Sequence, residues 1–313
     1  MSEIMPEAPS SPPASMSSGL LFSIPVFPSF VSQWSSNMSH KVLAKALFAM
    51  SISLLAATQA FADATLDRIK ARGTLTVGVI LSGAPFGYID PTSQTQKGYN
   101  LDIAKALADD LGVKLETVTV TPPNRVQFLQ QGKVDILIAN MQYTEDRAKV
   151  LDWVPTPYDR SGGAAVGRKD SGLKDWADLK GKPVCVSQGS NYTQPLIEKY
   201  GAEVKGLPSQ PESLLALQGG NCVVAVHVGA TLGLLLQDRP KDWKDYAILF
   251  PTELIPSDSV IWVRKGEKET AEALDKTIRQ LHTSGKLLEF AKANRLSNTE
   301  YLEQERKTLS ASK

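Results

Sequence analysis

Apolar positions along this chain follow two periods. Short alternating or unbroken apolar runs bounded by glycine or proline predict strands, and apolar positions recurring about every 3.6 residues predict helices. A helix is predicted over 65–72, closed by Gly73, and a strand over 74–80, which alternates and then runs apolar. A loop over 82–88 follows. The strongest helical pattern spans 98–112, apolar at 101, 103, 104, 107, 108 and 111, with Gly112 in the capping position. A strand over 115–120, a helix over 124–131 with Val126 and Leu129 inward, and an apolar strand over 136–139 complete the order βαβαβ. That order calls for a parallel sheet with helices on both faces.

After residue 158 the pattern restarts. Strands are predicted over 163–166, 183–186, 202–205, 222–226 and 260–263, and helices over 173–179, 188–199 and 211–217. Helices over 267–282 and 286–294 each carry an apolar stripe, and 300–313 reads as a polar tail. The fold class is therefore α/β with two similar units. We assign 63–159 to a first lobe, 160–263 to a second, and 264–313 to C-terminal helices that return toward the first. Two connections, near 155–163 and 257–265, make a natural hinge, and the cleft between lobes is where a small ligand is enclosed.

The chemistry concentrates where the strand 136–139 ends. A polar shelf, Asn140-Met141-Gln142-Tyr143, leads into Thr144-Glu145-Asp146-Arg147, a helix start with Thr144 as N-cap and two acids suited to the positive end of the helix dipole. Arg147 opposes that dipole, so it needs a solvated face, a neighbouring acid, or an anionic ligand. A guanidinium beside free N–H groups at the carboxyl end of a strand is where an open α/β sheet grips a carboxylate.

Charge excludes some functions. The chain of 313 residues holds 34 basic and 33 acidic side chains, a balance with no long-range pull toward nucleic acid or a membrane surface. Residues 1–37 are rich in Ser and Pro and read as disordered or as an upstream extension. From Met38, the expected true start, a basic segment, an apolar segment and Ala60-Phe61-Ala62 read as a signal peptide over 38–62, cut after Ala62. In an exported chain, Cys185 and Cys222 are open to two readings, a disulfide or two buried thiols. No Cys/His cluster has metal-ligand spacing, so neither a metal nor a cofactor is expected.

These motifs in their order resemble one family. Gly98-Tyr99-Asn100-Leu101-Asp102-Ile103, the shelf with Thr144 to Arg147, Pro157-Tyr158, and Gln188-Gly189-Ser190-Asn191 are similar to segments of the periplasmic solute-binding proteins of ABC importers for polar amino acids. That family has the bilobal type II fold. The resemblance covers roughly 73–296, and Asn124-Arg125 with Pro240-Lys241-Asp242-Trp243 and Thr283-Ser284-Gly285 brings it closest to the glutamate/aspartate-binding branch.

The resemblance implies a periplasmic monomer that captures a small carboxylate-bearing solute, an acidic or modified amino acid included, and hands it to a membrane permease. It implies that Arg147 binds the ligand α-carboxylate, helped by Gln142 and by the shelf at Asn140. It also implies that Arg125 faces the side-chain end and that Ser190 and Asn191 close from the second lobe. His227 and Phe86 of the first loop complete the expected contacts. The sequence departs from the family in three places, one of them the end of the first strand, where Ile80-Leu81-Ser82 stand in place of a basic residue of the acidic-ligand branch. Asn100 stands where an acid is usual, and the Asp that holds the ligand ammonium falls on Val228, leaving Asp258 to substitute or the ligand without that group. A few relatives are exported dehydratases; on this chain such an enzyme would have to rely on His227.

Overall fold

The computed structural model describes residues 64–297 and 299–311; the expected extension over 1–37 and leader over 38–62 lie outside the described residues. In chain order the first lobe contains α1 (Ala64–Arg72), β1 (Thr74–Val79) and a small hairpin of β2 (Tyr88–Ile89) and β3 (Gln96–Lys97). It continues with α2 (Tyr99–Asp110), β4 (Lys114–Thr119), α3 (Arg125–Gln130), β5 (Ile136–Ile138), α4 (Glu145–Val150) and β6 (Leu151–Trp153). The second lobe follows with β7 (Asp159–Arg168), a 3-10 turn at Trp176–Leu179, β8 (Pro183–Ser187), α5 (Thr193–Glu198) and β9 (Glu203–Leu207). It ends with α6 (Gln210–Gln218), β10 (Val224–Val228), α7 (Gly229–Asp238), β11 (Tyr246–Ile248) and β12 (Leu254–Ser259). The chain then returns through β13 (Trp262–Arg264) to α8 (Lys268–Ser284), α9 (Lys286–Ala293) and α10 (Glu300–Ala311).

Two sheets result. The first has the order β4-β1-β5-β13-β6, and the second β11-β7-β10-β8-β9 with β12 also paired to β7. β1 is parallel to both β4 and β5, and β8 is parallel to both β10 and β9. Each sheet buries its own apolar residues: Val77, Val79, Ile136, Ile138, Ile103 and Leu274 in one, Val184, Val186, Val224, Val226 and Leu196 in the other. The fold is α/β and bilobal.

Several elements differ from the sequence reading. β7 runs well past 163–166 at both ends and is antiparallel to β10, because its middle is built from Ser161, Gly162, Gly163 and Ala164, which carry little apolar signal. β13, expected with the second lobe, is hydrogen-bonded into the first sheet. Trp262 decides this: it is fully buried, donates from Nε1 to Met141 O at 2.7 Å, and stacks on Tyr143. The expected polar tail is helix α10, which packs on α8 through two buried leucines, Leu302 and Leu309.

The two connections lie side by side. Val154 N donates to Ile261 O at 2.8 Å and Tyr158 N to Ser259 O at 3.0 Å, so the crossings at 154–158 and 260–261 are paired as a two-stranded link. The cysteines are joined. Cys185 on β8 and Cys222 just ahead of β10 form a disulfide.

Candidate functional site

Strand β5 stops because Asn140 takes a positive φ of 48°, a left-handed conformation that Asn tolerates better than most residues. The turn aims the carbonyls of Ala139 and Asn140 at Arg125, the first residue of α3, whose Nη1 donates to them at 2.7 and 3.2 Å. Asn140 Oδ1 accepts from Asn100 Nδ2 at 2.6 Å, so the amide that replaces the usual acid fixes the shelf. Thr144 caps α4, accepting from Arg147 N at 3.3 Å. The cap holds Arg147 so that its Nη1 donates to Gln142 O at 2.6 Å.

The second lobe comes in through the turn after β8. Gly189 O accepts from Arg147 Nη2 at 3.1 Å and from Arg125 Nη2 at 3.4 Å, so two guanidiniums of one lobe share one carbonyl of the other. Gln142 Nε2 donates across the cleft to Tyr192 OH at 2.9 Å. Among the described residues neither arginine has an ion pair, and both are held by carbonyls alone. Burial lowers Arg125 to about 9, helped by the positive charge of Arg147, and lowers Arg147 to about 10. Both remain cationic at neutral pH. A pair of partly desolvated cations held by carbonyls alone has the chemistry to take a carboxylate as a stronger acceptor.

The cleft encloses about 60 Å³, lined by Arg125, Asn140, Gln142, Ser190, Asn191 and His227 from the expected set. Arg147 sits just outside that lining, coupled to it through Gly189. Asn191 adds a donor, since its Nδ2 is buried with no partner among the described residues. Ser82, Ser187, Tyr192 and Gln210 also line the cavity and were not expected there. Gln210 had a signal: Ser209-Gln210-Pro211-Glu212 is a helix start, with Ser209 capping α6, at a strand's carboxyl end. Tyr192 had none, because it enters the site only when the lobes meet.

One expectation is corrected, and two readings left open are narrowed. Phe86 is buried in the first lobe's core against Tyr99, with ring centroids 6.4 Å apart, and does not line the cleft. Pro85 O and Phe86 O accept from the first N–H groups of α2 at 2.9 and 3.0 Å, which fixes the loop with that ring inward. His227 does line the cavity, but it contributes no charge. It is hydrogen-bonded through Nε2 to Ser213 Oγ at 2.8 Å, and burial pushes it down to about 3. Asp258 is committed elsewhere, to an ion pair with Arg160 at 2.5 Å. With Val228 in the wall, no carboxylate lines the cavity.

Two expected outcomes follow from this geometry. Gly189 has φ +74°, and a Cβ there would lie 2.8 Å from Pro122 O in the other lobe. The backbone strain of Gly189→Ala is present in any lobe arrangement and should lower stability by about 1 kcal/mol. The clash exists only when the lobes are shut, so ligand affinity should fall as well, by about tenfold; calorimetric titration beside a melt separates the two.

The second concerns His227. Between about 3 and its ordinary value of 6.5 the unfolded chain carries a proton that the folded chain refuses. The imidazole thus contributes a stability that rises with pH across that window and is level above it. The stability difference between the native protein and His227→Gln, read from urea melts, should follow that curve.

Residues 75–293 match the model of the bacterial extracellular solute-binding proteins, family 3. A glutamine-binding protein of Geobacillus stearothermophilus is 35% identical over 162 residues, half of this chain and 61% of that protein. An L-glutamate/L-aspartate-binding protein of Pseudomonas aeruginosa is 27% identical over 240 residues, 71% of this chain and 77% of its own length. Among solved structures, a mutant of ArgBP from T. maritima superposes with a TM-score of 0.68 at 30% identity, covering 74% of this chain and 98% of that one.

Proposed function

Because the chain belongs to the bacterial extracellular solute-binding proteins, family 3, we propose that it captures a small carboxylate-bearing solute, an amino acid or close analogue, between its lobes and delivers it to a membrane ABC permease. The observation that carries this reading is the pair of guanidiniums, Arg125 and Arg147, both bonded to Gly189 O and neither paired with an acid. A carbonyl has only part of the charge of a carboxylate, so a ligand carboxylate entering as the lobes part takes over those donors at a gain. Asn191 Nδ2 supplies a further donor from the closing lobe. The enclosed 60 Å³ is far below the ~300 Å³ of ordinary ligand pockets, so entry requires the hinge to open. Closure then follows from contacts made to both lobes at once.

Relatives named for glutamine and for glutamate/aspartate support an amino acid as the ligand. The missing carboxylate alters how such a ligand is held. An ammonium would be received only by neutral oxygens, among them those of Ser82, Ser187, Ser190 and Gln210. Replacing the amine of the preferred ligand by a hydroxyl should therefore cost less than about tenfold in affinity, where a paired ammonium would cost far more. An enzymatic reading finds no support in the wall, since burial makes His227 a weak base and its Nε2 is already bonded to Ser213.

The test is a calorimetric and thermal-shift titration of the purified protein with the common amino acids, their 2-hydroxy analogues and dicarboxylates. Binding by one α-carboxylate solute, with compaction in small-angle scattering, supports the proposal. Neither heat nor shift with any of them would overturn it.

A further inference from the structure

We propose that a second cavity, beside the hinge and separate from the interlobe cleft, is a binding site for a small organic cation and is coupled to lobe closure. The cavity holds about 270 Å³ and is walled by β7, the start of α7, the segment 248–253 and the residues Leu296 and Ser297. Asp159 opens β7, immediately after the first crossing. Its residue is 1% exposed, yet its Oδ2 has no partner among the described residues. Ser161 and the backbone N–H of Arg160 favour the ionised form of this carboxyl. Glu253, which is exposed, lines the same cavity. The one cation in the wall, Arg160, is already paired with Asp258.

A buried carboxyl with an unpartnered oxygen in the wall of a cavity that also carries the carboxylate of Glu253 is complementary to an ammonium. The rest of the wall is apolar, through Ala164, Ala230, Phe250, Pro251 and Leu296, and suits a short alkyl group. A metal ion is a poorer match, since no cluster of three or more ligating side chains exists among the described residues. Coupling follows from where the walls belong. Asp159 and Glu253 are in the second lobe, while Leu296 is packed in the first lobe's core, so hinge motion changes the cavity and its occupant favours one arrangement. The coupling rests on the solute-capture reading, but the site does not.

The probe is n-butylammonium, titrated into the purified protein at pH 8 and followed by amide NMR. Saturable shifts at Ala230, Gly233 and Thr252, with Kd about 1 mM, are expected. Asp159→Asn and Glu253→Gln should each weaken them about tenfold. Gly233→Leu supplies a plug that does not threaten folding, since a Cβ there meets nothing within 4 Å, and it should abolish binding.

Burial raises Asp159 to about 7, with Glu253, Asp258 and its partner Arg160 around it. The neighbouring phenols of Tyr99, Tyr158 and Tyr301 are raised further above neutrality. Probe affinity should fall as pH drops below about 7, as the proton competes with the cation. Absence of saturable shifts, shifts at Ser190 and Asn191 instead, or unchanged binding in Gly233→Leu would overturn the site. A solute affinity that stays the same with and without butylammonium would overturn the coupling. Failure of every solute to bind would leave the site measurements intact and count only against the capture reading.

Discussion

Arg147→Ala is expected to weaken binding of the captured solute by about 100- to 1000-fold, a loss of about 3–4 kcal/mol. The guanidinium is partly desolvated, carries a full charge at neutral pH, and spends two donors on carbonyls, Gln142 O and Gly189 O. A ligand carboxylate therefore gains charge-assisted bonds that alanine cannot offer. Binding is not expected to vanish, because Arg125 remains in the cavity wall. Arg147→Lys keeps the charge but loses the planar fork, and should fall between the two.

The same substitution should leave the melting temperature of the ligand-free protein unchanged or raised. Arg147 has no acidic partner to lose, and its charge opposes that of Arg125. A loss of affinity without a loss of stability distinguishes a ligand contact from a structural one. Affinity within threefold of the native protein would remove Arg147 from the site.

Removing the disulfide, as Cys185→Ala with Cys222→Ala, is expected to lower stability by about 4 kcal/mol. The two cysteines are separated by 37 positions, and closing a loop of that length removes chain entropy from the unfolded state by about that amount. For a chain of this size the melting temperature should drop by about 10 °C. Both cysteines are buried, and they tie β8 to the start of β10, neighbouring strands with Val184 opposite Val224. β8 leads directly into Ser187, Gly189 and Ser190, so the bridge steadies the base from which the second lobe closes. Affinity at 25 °C should change little, because neither cysteine lines the cleft. A melting temperature within 2 °C of the native protein in matched scans would show that the bridge contributes little to stability.

What could be read in advance follows the range of each interaction. Arg147 stood out because it opposes a helix dipole three residues from its cap, a local contradiction visible in a short window. The two α/β units were legible from period and punctuation alone. β7 was cut short because its glycines and serine have no apolar signature, though its hydrogen bonds to β10, β11 and β12 hold it at the centre of the second sheet. α10 was missed because two buried leucines in twelve residues read as polar until α8 is in place to receive them. Phe86 shows the opposite error, an aromatic side chain in a loop that looked available for a ligand until the loop's carbonyls were seen to be fastened to α2.

By itself the sequence determined the α/β class, the two units, the capped helix that presents Arg147, and the absence of an acid at Val228. Those features depend on residue identity and on spacing within a single turn or strand. Only the tertiary structure decided that Arg125 and Arg147 share Gly189 O, that Gln142 reaches Tyr192, that His227 is neutral, and that Cys185 meets Cys222. Each of these joins residues far apart in the chain, and desolvation, which sets their charge and the worth of their bonds, does not exist until the lobes have packed.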